Sequence, residues 1–326
     1  MSDPRVCIVG AGHHATRRIY PYVGVAGGQL VGVCDLDLDR AQRNARRFGG
    51  RAYADMDAML DAEAPDAVMI CIGPTAHAEL AVKCLRRGLP VYTEKPPAPD
   101  AAAALEVARV SSETGCLCTT AFKKRYALAY ERARAFIEEA GQGALLSLSV
   151  LHASGSYDNR TPRSDLLLDF GIHGIDLLAY LGGDVKRVFA FTADFHAYAA
   201  SLEFACGAVA TYSLNDGRSF QVPTEEVEIT VAGGSHMTVH NSSQWRVTRG
   251  GEPAEWREPP TFVAGGDSGN DTGHLAEIVD FFAAVAEGRT TRSNIHESCK
   301  SLVLHDAIRR SAETGKVVEI AYAPPA

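Results

Sequence analysis

The amino terminus narrows the fold more than any later stretch. Arg5 to Val9 is rich in Val, Cys and Ile, reads as a strand, and runs straight into G-A-G-H-H-A, Gly10 to Ala15, before a helical segment. In this G-x-G-x-x-A form Gly10 permits a tight turn, Gly12 lets a pyrophosphate approach the backbone, and Ala15 lets helix and strand pack closely. Two glycines alone also suit an ordinary turn; the strand before, the helix after and an acid further on select the dinucleotide reading. That acid is Asp35, at the end of a second strand, Gln29 to Cys34. A carboxylate there accepts both ribose hydroxyls of an adenosine and repels a 2′-phosphate, so Asp35 points to NAD over NADP. Asp37 and Asp39 add to the negative field, and Arg40 is the nearby residue that opposes it.

Helix and strand then alternate. Leu38 to Phe48 reads as a helix closed by Gly49 and Gly50, Arg51 to Tyr53 as a strand, and Met56 to Ala62 as a helix capped by Asp55. Ala67 to Ile72 is wholly apolar, as a central parallel strand is. A helix beginning at Pro74 and Thr75 and ending at Gly88 carries His77 in its first turn, either as a packing residue or facing the cofactor. Pro90 to Thr93 is the next buried strand, and Glu94 and Lys95 stand at its carboxyl end against Pro96 and Pro97. Ligands of an open parallel sheet lie outside the carboxyl ends of its strands, so Lys95 is either a catalytic lysine or a solvated turn residue. A helix from Asp100 to Thr114 and a strand from Leu117 to Ala121 bring the count to roughly six strands, which closes a Rossmann dinucleotide-binding domain over residues 1–122.

Residues 123–326 follow a different pattern. A helix, Tyr126 to Ala140, leads to a strand, Leu145 to His152, and a polar loop, Ser154 to Asp165. Leu166 to Gly183 is apolar apart from Asp169, His173, Asp176 and Tyr180, whose spacing of 4, 3 and 4 predicts one polar stripe on a buried helix. Buried polar groups cost about 1–3 kcal/mol each when unsatisfied, so the stripe needs partners. One reading makes Asp169 a helix cap and His173 a hydrogen-bonded core residue; the other makes both functional. Val185 to Arg249 reads as successive strands of one large, open, mostly antiparallel sheet. Glu252 to Asn270 reads as a Pro/Gly-rich connector, followed by helices at His274 to Ala286 and His296 to Thr314 and a short strand, Val317 to Ile320. The expected class is α/β with a second, α+β domain.

Composition limits the partners. With 326 residues, 46% hydrophobic and 22% charged, the chain has the balance of a two-domain globular protein. A net charge of −8 gives no electrostatic reason to bind nucleic acid or an anionic membrane. No apolar run reaches the roughly 18 residues that span a bilayer, and no signal peptide precedes the first strand. The eight cysteines form no C-x-x-C pair, which suits free thiols in a reducing cytoplasm and gives no metal site. Small molecules are the expected partners.

Taken together, V-C-I-V-G-A-G-H-H-A, C-D-L-D, C-I-G-P-T-A-H-A-E-L, V-Y-T-E-K-P, D-F-G-I-H-G-I-D and S-A-E-T-G-K-V-V-E-I resemble the glucose-fructose oxidoreductase and inositol dehydrogenase (Gfo/Idh/MocA) family over nearly the whole chain. The resemblance implies an NAD(P)-dependent dehydrogenase or ketoreductase acting on a sugar, nucleotide sugar or cyclitol. Alternatives within it are an NAD-dependent glycosidase and a non-catalytic dinucleotide-sensing regulator. It implies Lys95, Asp169 and His173 as the reactive trio, with His173 as base, Lys95 as electrostatic stabiliser and Asp169 orienting the substrate or Lys95. Asp176 is expected to orient the imidazole. The cofactor would be surrounded by Gly10, Gly12, His13, His14, Asp35, Cys71, Ile72, Gly73, Pro74, His77, Glu94 and Lys95. Arg125, Tyr157, Asn159 and Arg163 are the expected substrate contacts, the last three in a polar lid with Asp158 and Arg160. A cis bond is implied at Lys95-Pro96 or Pro96-Pro97. The family's Gly-rich run before the Asp is replaced here by Arg163 to Leu168, which bears on the substrate. A homodimer or homotetramer through the open sheet face is expected.

Overall fold

The computed structural model describes residues 3–141, 143–258 and 271–322. The chain packs into two compact units, one formed by the chain up to Lys123 together with His274–Cys299, the other by Lys124–Gly273 with the segment from Lys300.

In the first unit, β1 (Arg5–Val9), β2 (Gln29–Cys34), β3 (Arg51–Tyr53), β4 (Ala67–Ile70), β5 (Val91–Thr93) and β6 (Cys118–Thr120) form a parallel sheet in the order β3-β2-β1-β4-β5-β6. Helices α1 (His13–Arg18), α2 (Tyr20–Val23), α3 (Leu38–Phe48), α4 (Met56–Glu63), α5 (Pro74–Arg86) and α6 (Ala101–Thr114) connect the strands. Asp37, Asp55 and Asp100 cap α3, α4 and α6 by accepting from backbone amides, which satisfies donors the helices cannot. The strand order reverses between β1 and β4, the place where a doubly wound sheet binds its ligand. At that point a Cβ on Gly10 would fall 2.8 Å from the carbonyl carbon of Cys71 and closer still to its oxygen, and Gly10 has φ +105°. Only glycine fits.

The expected second domain, 123–326, is not continuous. Ile278, Phe281 and Phe282 of α9 (His274–Glu287) are buried in the same core as Val6, Ile8, Met69 and Tyr92, so this helix belongs to the first unit. Its apolar face is legible in the sequence, but which sheet that face covers is not.

The second unit is built on a nine-stranded sheet of β7 (Leu145–Ala153), β8 (Val185–Ala193), β9 (Ala197–Phe204), β10 (Val209–Asn215), β11 (Thr224–Val231), β12 (Ser235–His240), β13 (Gln244–Arg249), β14 (Glu252–Arg257) and β15 (Val318–Glu319). The order is β14-β13-β12-β11-β7-β10-β9-β8-β15, with β7 and β10 parallel and the other described pairs antiparallel. The connector expected from Glu252 therefore begins as a strand. Pro253 misled, because an edge strand has no ladder bond for its missing N–H to break on the open side. The rest of that connector, 259–270, lies outside the described residues.

A 3₁₀ turn, Lys123–Tyr126, precedes α7 (Leu128–Ala140), so the expected helix starts two residues late. The helix expected over Leu166 to Gly183 is two pieces, a π-helical turn, Leu166–Gly171, and α8 (Ile172–Gly182). Asp165, not Asp169, caps the first piece by accepting from the amide of Leu168 at 2.8 Å. The last helix, α10, runs Ile295–Thr314. All eight cysteines are free, and among the described residues no helix is long and apolar enough to cross a membrane.

Asp176, expected to orient His173, is bonded instead to Arg125 and Ser301. It is 1% exposed, accepts from Arg125 Nε and Nη2 at 3.0 and 2.8 Å and from Ser301 Oγ at 2.9 Å, and so neutralises a guanidinium that is itself 3% exposed. Removing one member of a buried ion pair strands the other charge. Asp176→Ala is therefore expected to lower stability by about 3–5 kcal/mol in urea unfolding, and a loss below about 1 kcal/mol would contradict this structural weight.

Candidate active site

At the switch point the glycine turn is tied to the end of β2. Gly10 N–H donates to Cys34 O at 2.7 Å, Ala11 N–H to Asp35 Oδ2 at 2.7 Å, and Asp37 N–H to Asp35 Oδ1 at 2.9 Å. These bonds use about two of the four lone-pair positions of a carboxylate, which leaves acceptors for a ribose diol. Arg40, the cation able to offset the negative field, is held by Asp37 at 3.1 Å. The two glycines differ in what requires them. Gly10 is demanded by the protein's own packing, whereas a Cβ on Gly12 would meet nothing within 4 Å. Gly12 presents bare backbone to open space at the start of α1, and a ligand drawn close to that backbone explains it. The residues present fit a dinucleotide.

The carboxyl ends of β4 and β5 complete this edge. Gly73 and Pro74 start α5 as cap and first residue, and His13 and His14 are exposed on α1. His77 is fully buried, so it does not face the cofactor as expected. Ile72 N–H donates to its Nε2 at 3.3 Å, which leaves Nδ1–H to donate to Pro96 O at 2.7 Å, and the ring thereby joins the loop after β4 to the loop after β5. Cys71 is also buried; its side chain is sealed and burial pushes its thiol well up, so its contribution is its backbone at Gly10. The Lys95-Pro96 bond is cis, as the resemblance implies, and Lys95 is half-buried.

Two buried carboxyls of this unit, Glu94 and Glu277, have opposite fates. Burial pushes Glu94 up, but the hydrogen bond from His14 Nε2 at 3.2 Å and the charges of His14 and Lys95 outweigh it and hold the group below the ordinary range. Glu277, in the first turn of α9, is pushed well up, by burial first and by the charge of Glu94 second. Its Oε1 accepts from Tyr92 OH at 2.9 Å, and its Oε2 is buried with no hydrogen-bond partner. Half-buried Lys123, just beyond β6, is pushed down to about 8, chiefly by burial, with Arg18 and Lys95 adding and Glu277 and Glu94 opposing. The sequence reading missed Tyr92, Lys123 and Glu277; the only signals were a Tyr inside an apolar strand and a Glu on the apolar side of a helix.

In the second unit, Asp169 lies in the π-helical turn and His173 in the first turn of α8, half-buried. Helix and sheet approach closely here. A Cβ on Gly174 would fall 2.7 Å from Tyr212 Cε2 and 2.9 Å from His152 Nδ1, and Tyr212 OH donates to Gly171 O at 2.8 Å. The π-helical turn, a feature often found at functional sites, is thereby fixed onto β7 and β10. Tyr157 OH donates to Asp169 Oδ2 at 2.9 Å. Of the other expected substrate contacts, Arg125 is committed to Asp176, and Asn159 to the loop, accepting from Leu166 N–H at 2.8 Å. Arg163 is exposed. Among the described residues no His, Cys, Asp or Glu cluster can hold a metal ion.

Comparison with known proteins agrees with this architecture. Residues 4–122 match the oxidoreductase family with an NAD-binding Rossmann fold, and residues 156–320 match that family's C-terminal alpha/beta domain. The chain belongs to this family, the Gfo/Idh/MocA oxidoreductases. It is 32% identical over 183 residues to an inositol 2-dehydrogenase of Leifsonia xyli, covering 56% of this chain and 54% of that protein. It is 31% identical over 195 residues to a D-glucoside 3-dehydrogenase of Escherichia coli, covering 56% and 55%. The match thus spans about half the length of either relative. The fold is shared with a levoglucosan dehydrogenase solved with NADH and L-sorbose, at TM-score 0.87 and 20% identity, over 99% of this chain and 100% of that one.

The raised carboxyl has a consequence for stability. A group whose folded value lies above its unfolded one, about 4.3 for Glu, stabilises fully at pH below the unfolded value. That contribution is lost as pH rises towards the folded value. Glu277→Gln keeps the acceptor for Tyr92 and removes the titration. The variant is expected to lose less stability than the parent between about pH 5 and about pH 8 in denaturant melts, and parallel profiles would show that Glu277 is ionised in the fold.

Proposed function

We propose that the protein is an NAD-dependent oxidoreductase that interconverts a secondary hydroxyl and the corresponding ketone on a sugar, sugar derivative or cyclitol. The observation that carries this reading is the edge of the first unit, where Gly12 offers bare backbone, Asp35 offers a ribose acceptor and Lys95 stands at the end of β5. Family membership supports it, as do the names of the inositol 2-dehydrogenase, the D-glucoside 3-dehydrogenase and the levoglucosan dehydrogenase that this chain resembles. Gly10, Gly12, Asp35, Ile72, Gly73, Pro74, Glu94 and the exposed His13 and His14 would hold the cofactor, which supplies a two-electron oxidant when bound.

The chain's own groups have separable tasks. His173 takes the hydroxyl proton, as imidazole is suited to do near neutral pH; its Nδ1 is buried. Lys95 places positive charge where the alkoxide develops, and Asp169 accepts a hydrogen bond that orients the sugar. Exposed Arg163 remains the lid residue available to the substrate. Free thiols support a reducing, cytoplasmic setting. Phe191 and Val209, exposed on the sheet face opposite α7 and α8, support self-association as a homodimer or homotetramer, which light scattering measures.

The test is NADH formation across inositols, free hexoses, glucosides and nucleotide sugars. His173→Ala is expected to lower turnover on the accepted substrate by about 100- to 10,000-fold, and Lys95→Ala by at least about 100-fold, with NAD affinity nearly intact for the first. Asp35→Ala should narrow the preference for NAD over NADP. Failure of every panel member and of the matching ketones to exchange electrons with the cofactor, or release of a leaving group without NADH, would overturn the reading.

A further inference from the structure

The loop from Ser154 to Asp165 is held at points that all lead to one phenol. Tyr157 N–H donates to Asp216 Oδ2 at 2.9 Å, the same oxygen that lies 2.7 Å from His196 Nδ1. The side chain of Asp216 is 9% exposed, so this carboxylate is a shielded anchor. The loop's first residue is fixed by two further backbone bonds, Ser154 N–H to Asn215 O and Arg218 N–H to Ser154 O, at 2.9 and 2.8 Å. The Tyr157 ring packs against Phe220 at 5.7 Å. With backbone and ring fixed, the hydroxyl reaches Asp169 Oδ2 at 2.9 Å.

We infer that Tyr157 is a positioning residue, which sets the direction of the Asp169 carboxylate towards a substrate hydroxyl rather than contacting the substrate itself. This rests on the dehydrogenase reading for the role of Asp169. A carboxylate on a side chain with two rotatable bonds keeps one direction only if something holds an oxygen, and a half-buried phenol on an anchored loop does so. Burial first, and the neighbouring Asp169 second, push the phenol well up, so it stays a donor throughout the working pH range. Tyr157 therefore fixes Asp169 as an acceptor. The sequence reading placed Tyr157 on a substrate-facing lid; the inference places it one step back from the substrate.

The test uses Tyr157→Phe, which keeps the ring, in the parent and in the Asp169→Asn background. In the parent background kcat/KM for the accepted sugar is expected to fall about tenfold, the order of one lost hydrogen bond to a charged group. NAD affinity should be unchanged. In Asp169→Asn the same change is expected to cost less than about twofold, because the two groups act as a unit. Equal losses in both backgrounds, or no loss in either, would overturn the inference. A crystal structure of Tyr157→Phe should show the Asp169 carboxylate turned from its present direction, and an unmoved carboxylate would also overturn it. That structural readout needs no turnover, so it separates failure of the positioning role from failure of the dehydrogenase reading.

Discussion

The first unit depends on a close crossing of backbone at the sheet's reversal point. Gly10 lies so near the Cys71 carbonyl that no side chain fits, and from there Gly10 N–H reaches Cys34 O and Ala11 N–H reaches Asp35. Three strand ends are thus fixed to one another by main-chain groups. His77 extends the same fastening to the loop of Pro96, and so to Lys95. The cofactor edge is held by backbone and buried side chains bonded to one another within the protein. That is the preorganisation a site needs if binding energy is not to be lost in ordering it.

The electrostatics of that edge follow from how unevenly two equally buried carboxyls are partnered. Glu94 is 7% exposed and Glu277 1%, so burial alone raises both. Glu94 gains His14, the adjacent amide of Lys95 and the Lys95 charge, whereas Glu277 gains one phenol and the repulsion of Glu94 itself. Two titratable groups pushed apart in this way divide the roles, one remaining an anion and one an acid. The Glu94 charge then faces Lys95 and Lys123.

Most of the first unit was legible because its information is local. Strand composition, Asp caps and glycine stops each act within a few residues, and β2, β3 and α3 lie where the sequence places them. The open antiparallel sheet was legible for the same reason, as turn signals between alternating strands are local too. What the sequence withheld are facts of tertiary partnership. Pro253 is compatible with a strand only at an edge, and α9 belongs to the first unit through Ile278, Phe281 and Phe282, which pack in a core assembled far upstream, and through the Glu277 bond to Tyr92.

The polar stripe shows where such inference stops. Burial requires Asp169, His173, Asp176 and Tyr180 to find partners, and that much can be read from the chain. The identity of the partners cannot, since Asp176 meets Arg125 from 51 residues away and Ser301 from 125. Regular spacing also assumed one helical period throughout, and the π-helical turn breaks that period between Asp169 and His173. The stripe consequently resolves into three environments. Asp169 takes the Tyr157 phenol, Asp176 a buried guanidinium, and the Tyr180 ring lies under Arg125 and Arg134 at 5.4 and 5.8 Å. The lower half of the stripe therefore fastens α8 to its own unit, and the upper half, from the π-helical turn to His173, is the part to which the proposed function assigns the chemistry.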